Sequence, residues 1–354
     1  MTNTAGIDVG STYTKALILD PSGRILAKHL RPTGFKLDAA ARDAFEQCLA
    51  DAKLGRGDVG YVIATGMGRH QVDFKDLHVT DLTAGARGAA FLFPGTRTVL
   101  DVGGQTMKAS RLDAEAKVVS FRLNDKCAAG TGAFLEKTAR YMGYSTQEIG
   151  PLMTTSKGAV SISGVCAVFA ESEVINHLSQ GAPPADIMQG AIESLVSRSV
   201  QLMKRAKGEP EFTLIGGILR FESMARAVRH HLNCDVNVAQ PESVQFVCAL
   251  GAALLGRIRL KMLAREGTSP PDCPMECAEG GGADGRLTAQ GWTRRFLAAP
   301  ERVAEAFELY RSLGFEARCE KPSAADFGEC CAGCAETACR SYLMIYTRPA
   351  ALRP

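Results

Sequence analysis

Long apolar runs are missing from this sequence of 354 residues. The longest, at residues 244–256, contains Gln245 and is shorter than the ~20 residues that a membrane helix needs. The first six residues contain neither the basic nor the apolar region of a signal peptide. We therefore expect a soluble, cytoplasmic protein with no membrane partner.

A basic excess is also missing. The chain has 41 Lys and Arg against 38 Asp and Glu, which gives a formal net charge of +3 and indicates no nucleic-acid partner. Hydrophobic residues make up 46% and charged residues 22%, so most of the chain is expected to fold. Its length suits two or three domains.

Twelve cysteines are present, and seven of them lie in the last 94 residues. In a reducing compartment, cysteines indicate metal, cluster or redox chemistry, or merely buried thiols, more often than disulfides. Their positions along the chain therefore have to distinguish between these roles.

Strand-like and helix-like segments alternate over the first 260 residues. Residues 5–20 and 24–29 predict an antiparallel meander of three strands. The same order of apolar strand, aspartate, small-residue turn and polar strand restarts at Arg97, which we interpret as an internal duplication. Helices are predicted at residues 37–54, 80–93, 132–142, 168–179, 185–204, 224–232 and 244–260, and short strands near residues 59–64, 212 and 236.

Two hairpin motifs carry the first functional signal. Asp8 ends an apolar strand, where an unpaired carboxylate is costly, and Mg²⁺ would supply a partner. An ordinary hairpin with a polar tip is the alternative for one such motif. A second copy beginning at Asp101 favours a cleft that clamps a nucleotide tail. The predicted phosphate-binding residues are Ser11, Thr12, Thr14, Lys15, Gly103 and Gly104.

A third signal is the strand at residues 212–215, which ends in Gly216 and Gly217. Paired glycines let the backbone approach a flat ligand such as adenosine. Alone they would indicate only a turn, but they follow two hairpins in order. A Walker-type phosphate loop is absent from the sequence.

Cys127 and Cys166 each directly precede a predicted helix. The positive end of a helix dipole favours a thiolate or an anionic cluster at such a position. Two buried core cysteines are the alternative. Two cysteines are half of the four thiolates that a [4Fe-4S] cluster takes, so a two-fold dimer would complete one cluster on its axis.

Together these segments, with residues 65–69, 168–174 and 250–253, resemble the BadF/BadG/BcrA/BcrD-type ATPases. These are the 2-hydroxyacyl-CoA dehydratase activators and the ATPase subunits of benzoyl-CoA reductase, in the superfamily of acetate and sugar kinases, heat-shock chaperones and actin. The resemblance implies a duplicated, two-lobed actin-like α/β fold with ribonuclease H-like lobes.

The resemblance also implies function. ATP or ADP would bind between the lobes, with Asp8 and Asp101 positioning Mg²⁺ and water and Gln105 orienting the water. A homodimer, or a pair of similar subunits, would bridge one [4Fe-4S] cluster through Cys127 and Cys166. ATP hydrolysis would drive electrons from a ferredoxin or flavodoxin into a partner reductase or dehydratase. A small-molecule kinase with structural cysteines is the alternative function.

The domain boundaries follow from these assignments. The first lobe would comprise residues 1–95 and 241–264, and the second lobe, with the cluster-binding helices, residues 96–240. Residues 265–291 are rich in Gly, Pro, Ser, Asp and Cys and predict a linker. Residues 292–354 predict a small Cys-rich α/β appendage, with a helix from Pro300 and strands at 315–319 and 342–347.

The cysteines of this tail leave three interpretations open: bound zinc, a second iron–sulfur cluster, or reduced thiols. Cys330, Cys331, Cys334 and Cys339 have a spacing that both metals share, and Cys273 and Cys277 precede them.

Overall fold

The computed structural model describes residues 2–124, 131–164, 166–266, 287, 290–298, 303, 307, 310, 315–322 and 343–349. The chain divides into two compact units, Met1–Pro270 and Pro271–Pro354.

The first unit contains two five-stranded sheets. The strands of the first sheet are β1 (Asn3–Val9), β2 (Tyr13–Leu19), β3 (Ile25–Pro32), β4 (Val59–Gly66) and β5 (Leu77–His78). Those of the second are β6 (Thr98–Val102), β7 (Met107–Leu112), β8 (Val118–Asn124), β9 (Phe212–Ile215) and β10 (Val236–Val238).

The two sheets share one topology. Their orders are β3-β2-β1-β4-β5 and β8-β7-β6-β9-β10. In each, the central strand pairs antiparallel with the next strand along the chain and parallel with a strand that follows a helix. This correspondence confirms the predicted duplication, the meander and the mixed α/β fold.

Helices join and cover the strands. They are α1 (Leu37–Ala52), α2 (Asp81–Leu92), α3 (Gly132–Tyr141), α4 (Ile149–Met153), α5 (Ala167–Ser179), α6 (Pro184–Arg205), α7 (Glu222–Leu232) and α8 (Val247–Glu266). All seven predicted helices are confirmed, and the short α4 was not predicted.

Local chemistry sets several helix ends. The Thr80 hydroxyl accepts the Thr83 N–H at the start of α2, and Pro184 occupies the first turn of α6. Asn233, at φ 52°, ends α7 in the left-handed conformation that asparagine tolerates. In the part of the chain that the structure covers, no helix is long and apolar enough to cross a membrane.

Helix α8 packs on the first sheet and on α2 at very short range. A Cβ atom on Gly251 would lie 1.8 Å from the Ala84 carbonyl oxygen, and one on Gly6 of β1 would lie 1.9 Å from the Ala249 carbonyl oxygen. The backbones of β1, α2 and α8 therefore pack directly against one another at Gly6 and Gly251, where no side chain would fit.

The second unit contains an antiparallel sheet in which β13 (Leu343–Pro349) lies between β11 (Thr293–Ala298) and β12 (Phe315–Glu320). The two predicted strands are confirmed, whereas β11 was not predicted. Residues 303, 307 and 310 are helical and pack with Ile345 on one face of the sheet. Of the seven tail cysteines, only Cys319 lies within the described residues.

Gly251→Ala tests the close packing of α8. Alanine is the better helix former by about 1 kcal/mol, so any loss of stability must come from the collision with the α2 backbone. We expect the free energy of unfolding to fall by about 1–3 kcal/mol, measured by chemical denaturation. Gly57→Ala is the control, because nothing lies within 4 Å of a Cβ atom there. Equal stability of the two variants would contradict this account of the packing.

Candidate functional site

A cleft of about 350 Å³ opens between the two hairpins of the first unit. It combines residues from β1, β2, β6, β7 and the segments that follow β4 and β9. Of the residues predicted from the sequence, its lining includes Asp8, Ser11, Thr12, Lys15, Asp101, Gly103, Gly104, Gln105, Gly216 and Gly217.

Thr14 is the predicted cleft residue that does not line the cavity. Its buried hydroxyl lies 2.9 Å from the Thr33 hydroxyl, which donates to the Gly10 carbonyl oxygen at 2.9 Å. Thr14 therefore supports the first turn from behind.

The tips of the two hairpins face each other and are closed in the same way. The N–H of Gly10 donates to the Tyr13 carbonyl, and the N–H of Gly103 donates to the Thr106 carbonyl. A Cβ atom on Gly104 would lie 2.2 Å from the Thr12 hydroxyl oxygen. Glycine at this position thus keeps open the narrow space between the tips.

Asp8 and Lys15 form the charged centre of the first hairpin. They are direct cross-strand partners, with 3.0 Å between carboxylate and ammonium, and both side chains are at least 85% buried. Burial acts to lower the pKa of Lys15, but the charge of Asp8 and its hydrogen bond outweigh burial and raise that pKa above its usual value.

The second hairpin repeats this arrangement with Asp101 and Lys108, also cross-strand partners. Lys108 lies 3.9 Å from Asp101 but bonds more closely to Asp81 at the start of α2. Burial acts to lower the pKa of Lys108, and the two carboxylates together raise it.

Sequence reasoning missed Lys108 and Asp81. The duplication contained the signal for Lys108, because it follows Asp101 by seven residues as Lys15 follows Asp8. For Asp81 the only signal was its place in the first turn of a helix, which is typical of acidic residues that have no other role.

The negative charge of Asp101 is less well compensated by nearby lysines than that of Asp8, the other aspartate at a strand end. Burial, with the nearby charges of Asp81 and Asp8, raises the pKa of Asp101 to about 6, and Lys108 and Lys15 oppose this rise only in part. The reason is geometric, since Lys108 is committed to Asp81. A further cation beside Asp101 would be strongly favoured.

Gly216 brings the backbone after β9 against the second hairpin. Its φ of 102° is accessible to glycine, and a Cβ atom would lie 2.4 Å from the Val102 carbonyl oxygen. The strand end therefore forms one wall of the cleft, with its backbone close to the second hairpin.

Helix α3 begins directly on the second hairpin. The N–H of Gly132 donates to the Gly103 carbonyl at 2.9 Å, and the N–H of Ala133 donates to the Gly104 carbonyl at 2.8 Å. These two bonds satisfy N–H groups that a helix start leaves without intrahelical partners. The hairpin turn and the helix must therefore move together.

Cys166 lies at the N-cap of α5, as its predicted position before a helix implied, and its side chain is half-buried. Lys137 of α3 bonds to Glu171 of α5 at 2.7 Å, which links this helix to α3. The segment that contains Cys127 lies outside the described residues.

Cys248 of α8 also lines the cleft, and its thiol approaches the Asp81 carbonyl oxygen at 3.9 Å. Burial, together with the charges of Asp101 and Asp8, raises its pKa well above the usual value. This cysteine is therefore a neutral thiol at neutral pH. Among the residues covered by the structure, no three His, Cys, Asp or Glu side chains are grouped closely enough to hold a metal ion.

Asp101→Asn tests the raised pKa through the pH dependence of stability in the nucleotide-free protein. The folded state holds a proton on Asp101 up to about pH 6, whereas the unfolded state releases it near 3.8. Asp101 thus favours folding most at low pH, and this contribution is lost as pH rises through 6. Relative to the unmodified protein, the variant should gain about 2 kcal/mol between pH 4.5 and 7.5.

Denaturation curves at the two pH values measure this gain. Asp73→Asn serves as the control, because Asp73 is exposed and pairs with Arg42 at the surface. The same pH response in both variants would show that Asp101 titrates normally.

Comparison with known proteins shows which family this chain resembles. The BadF/BadG/BcrA/BcrD ATPase family matches residues 5–256. A 2-hydroxyisocaproyl-CoA dehydratase activator from Clostridioides difficile is 38% identical over 251 residues, which cover 71% of this chain and 93% of the relative. One of the subunits of benzoyl-CoA reductase from Thauera aromatica is 35% identical over 279 residues, covering 75% of this chain and 97% of the relative.

A solved structure agrees with these matches. The activator of the 2-hydroxyisocaproyl-CoA dehydratase from Clostridium difficile, with bound ADPNP, is 35% identical and superimposes with a TM-score of 0.71. The match covers 77% of this chain and all of that one. On the sequence match, the identities and the shared fold, this chain belongs to the BadF/BadG/BcrA/BcrD ATPase family.

Proposed function

We propose that this protein hydrolyses ATP to drive electrons at low potential into a partner reductase or 2-hydroxyacyl-CoA dehydratase. Family membership supports the ATPase activity, and the names of the relatives support the kind of partner. The alternative of a small-molecule kinase has less support, because the relatives that match most of the chain include dehydratase activators and a component of a reductase.

The observation that carries the proposal is the pair of backbone hydrogen bonds from α3 to the turn at Gly103 and Gly104. A phosphate bound at that turn would act on the same backbone that anchors the helix. Helix α3 follows the segment of Cys127 and is bonded to the helix that Cys166 begins. In the proposal, the nucleotide state is thereby coupled to α3 and to the helix that follows Cys166.

The cleft residues fit a magnesium nucleotide. Asp101 is a half-buried carboxylate with too little positive charge around it, which suits a divalent cation. In the proposal Asp8 and Asp101 hold Mg²⁺ and the attacking water, and Gln105 orients that water. Ser11, Thr12, Lys15, Gly103 and Gly104 contact the phosphates, Thr14 contributes by fixing the turn, and Gly216 and Gly217 contact the adenosine.

Cys166 fits a cluster at an interface between two copies of the chain. It lies at a helix N-terminus, is partly exposed, and precedes the exposed apolar side chains of Val168 and Phe169. Cys127 and Cys166 from each of two copies would hold one [4Fe-4S] cluster, which supplies a one-electron carrier when bound. A ferredoxin or flavodoxin would be the electron donor, and the tail cysteines would hold zinc or a second cluster.

Asp101→Asn tests the role of the second aspartate in hydrolysis. Loss of one preorganised charge at a phosphoryl-transfer site costs on the order of 100-fold in turnover. We therefore expect phosphate release from ATP to fall by about that factor while the protein stays folded. The exposed Asp73→Asn variant should retain full turnover. Normal hydrolysis by Asp101→Asn would remove the assignment.

Cys166→Ser tests the cluster. After anaerobic purification, iron and sulfide should drop sharply in this variant, because a hydroxyl is a poor replacement for a thiolate ligand. Nucleotide binding should change little, since Cys166 is not among the residues that line the cleft. Cys234→Ser is the matched control, as Cys234 is also half-buried. Equal iron contents in the two variants would show that Cys166 is not a cluster ligand. Residual iron in Cys166→Ser would indicate a second site in the tail.

A further inference from the structure

The segment Gly66 to Arg69 follows β4 and lies against the first hairpin. Gly66 has a φ of 85°, and a Cβ atom on it would lie 2.5 Å from the Asp8 carboxylate and 2.4 Å from the Val9 carbonyl oxygen. The N–H of Gly68 donates to that same Val9 carbonyl at 3.0 Å. This loop, which we call the Gly66 loop, is thus built onto the strand end that carries Asp8.

The Gly66 loop is the duplicate of the loop at Gly216. Strand β4 runs parallel to β1 as β9 runs parallel to β6. A glycine with positive φ ends β4 (Gly66), and another directly follows β9 (Gly216). A Cβ atom on Gly216 would lie 2.7 Å from the Asp101 carboxylate, much as one on Gly66 would meet Asp8. Each loop also places an arginine in the cleft lining: Arg69 in one, Arg220 in the other.

The duplication predicts that the two loops contact opposite ends of one ligand. In the proposed function the Gly216 loop contacts adenosine, and the phosphates run between the two hairpin turns. The pseudo-symmetry that exchanges the lobes exchanges the loops, so the Gly66 loop flanks the far end of the phosphate chain. That end is the terminal phosphate.

Arg69 has the charge and the free donors for that position. The lysines of the cleft are neutralised by Asp8, Asp81 and Asp101, whereas Arg69 forms no ion pair with any residue the structure describes. Its guanidinium donates to the Gly66 carbonyl at 3.0 Å through Nη1. Its Nε is buried and has no hydrogen-bond partner among the described residues. A buried, unused donor on a cation is costly unless an anion satisfies it.

We infer that Arg69 binds the terminal phosphate of ATP and stabilises the charge that develops there during hydrolysis. This inference rests on the proposed ATPase function. In the reaction the oxygen of water bonds to the terminal phosphorus while the bond to the bridging oxygen breaks. The electron pair of the broken bond stays on the bridging oxygen, which leaves as part of ADP. The proton lost by water is released with inorganic phosphate. Arg69 supplies a fixed, planar set of donors to the phosphoryl oxygens throughout.

Affinities for ADP and for a non-hydrolysable ATP analogue, measured by calorimetry on the full chain, test the assignment. Arg69→Ala should weaken binding of the analogue by about 10- to 100-fold, the range for hydrogen bonds to a charged group, and change ADP binding by no more than about 3-fold. Turnover should fall by about 1,000-fold, as for other arginines that act on a transferring phosphoryl group.

Two further variants sharpen the test. Arg42→Ala removes one positive charge from the same lobe at an exposed site and should leave both affinities unchanged. Arg220→Ala, next to the adenosine loop, should weaken ADP and the analogue equally. Arg69→Lys should recover part of the analogue binding, because it restores the charge without the planar fork.

The outcomes separate the inference from the function on which it rests. If Arg69→Ala weakens binding of ADP and of the analogue by the same factor, or leaves both unchanged, Arg69 does not contact the terminal phosphate, although the protein can still be an ATPase. If the unmodified chain binds neither nucleotide, the proposed function fails and the inference fails with it.

Discussion

A carboxylate at the buried end of a central strand is stable only beside a cation, and this constraint organises the cleft. Asp8 and Asp101 occupy corresponding strand ends in the two sheets, each opposite a lysine on the neighbouring antiparallel strand. A hairpin is the shortest connection that can deliver such a lysine. The turn of that hairpin must then lie next to the carboxylate, where its N–H groups and glycines can receive phosphate.

The two copies of this arrangement are electrostatically unequal. Asp8 bonds directly to Lys15 at 3.0 Å, whereas Lys108 lies 3.9 Å from Asp101 and bonds more closely to Asp81, so Asp101 keeps a raised pKa. The duplicated framework therefore presents one balanced and one under-compensated carboxylate to the same space. A divalent cation in that space would gain more from Asp101 than from a second balanced pair, so the two halves of the symmetric framework are electrostatically distinct toward a ligand.

Much of this arrangement could be predicted from the sequence, because strand, aspartate and glycine turn follow one another locally. The meander, the duplication and the helices follow from periodicity and turn residues alone. Asp81 could not be found in this way, since its contact with Lys108 joins the start of α2 to strand β7 of the second sheet, which is distant along the chain. Strand β11 was missed because its sequence, Thr-Arg-Arg-Phe-Leu-Ala, lacks the alternation that marks a half-buried strand.

The hydrogen bonds at the start of α3 join this helix to the second hairpin turn of the cleft. A helix leaves its first N–H groups unpaired, and here the turn carbonyls of Gly103 and Gly104 satisfy them. A phosphate that draws the N–H groups of this turn toward itself necessarily displaces carbonyls of the same peptide units. Those carbonyls anchor α3, and Lys137 of α3 bonds to Glu171 of α5, so a rearrangement of this turn would act directly on α3 and, through one exposed ion pair, on α5.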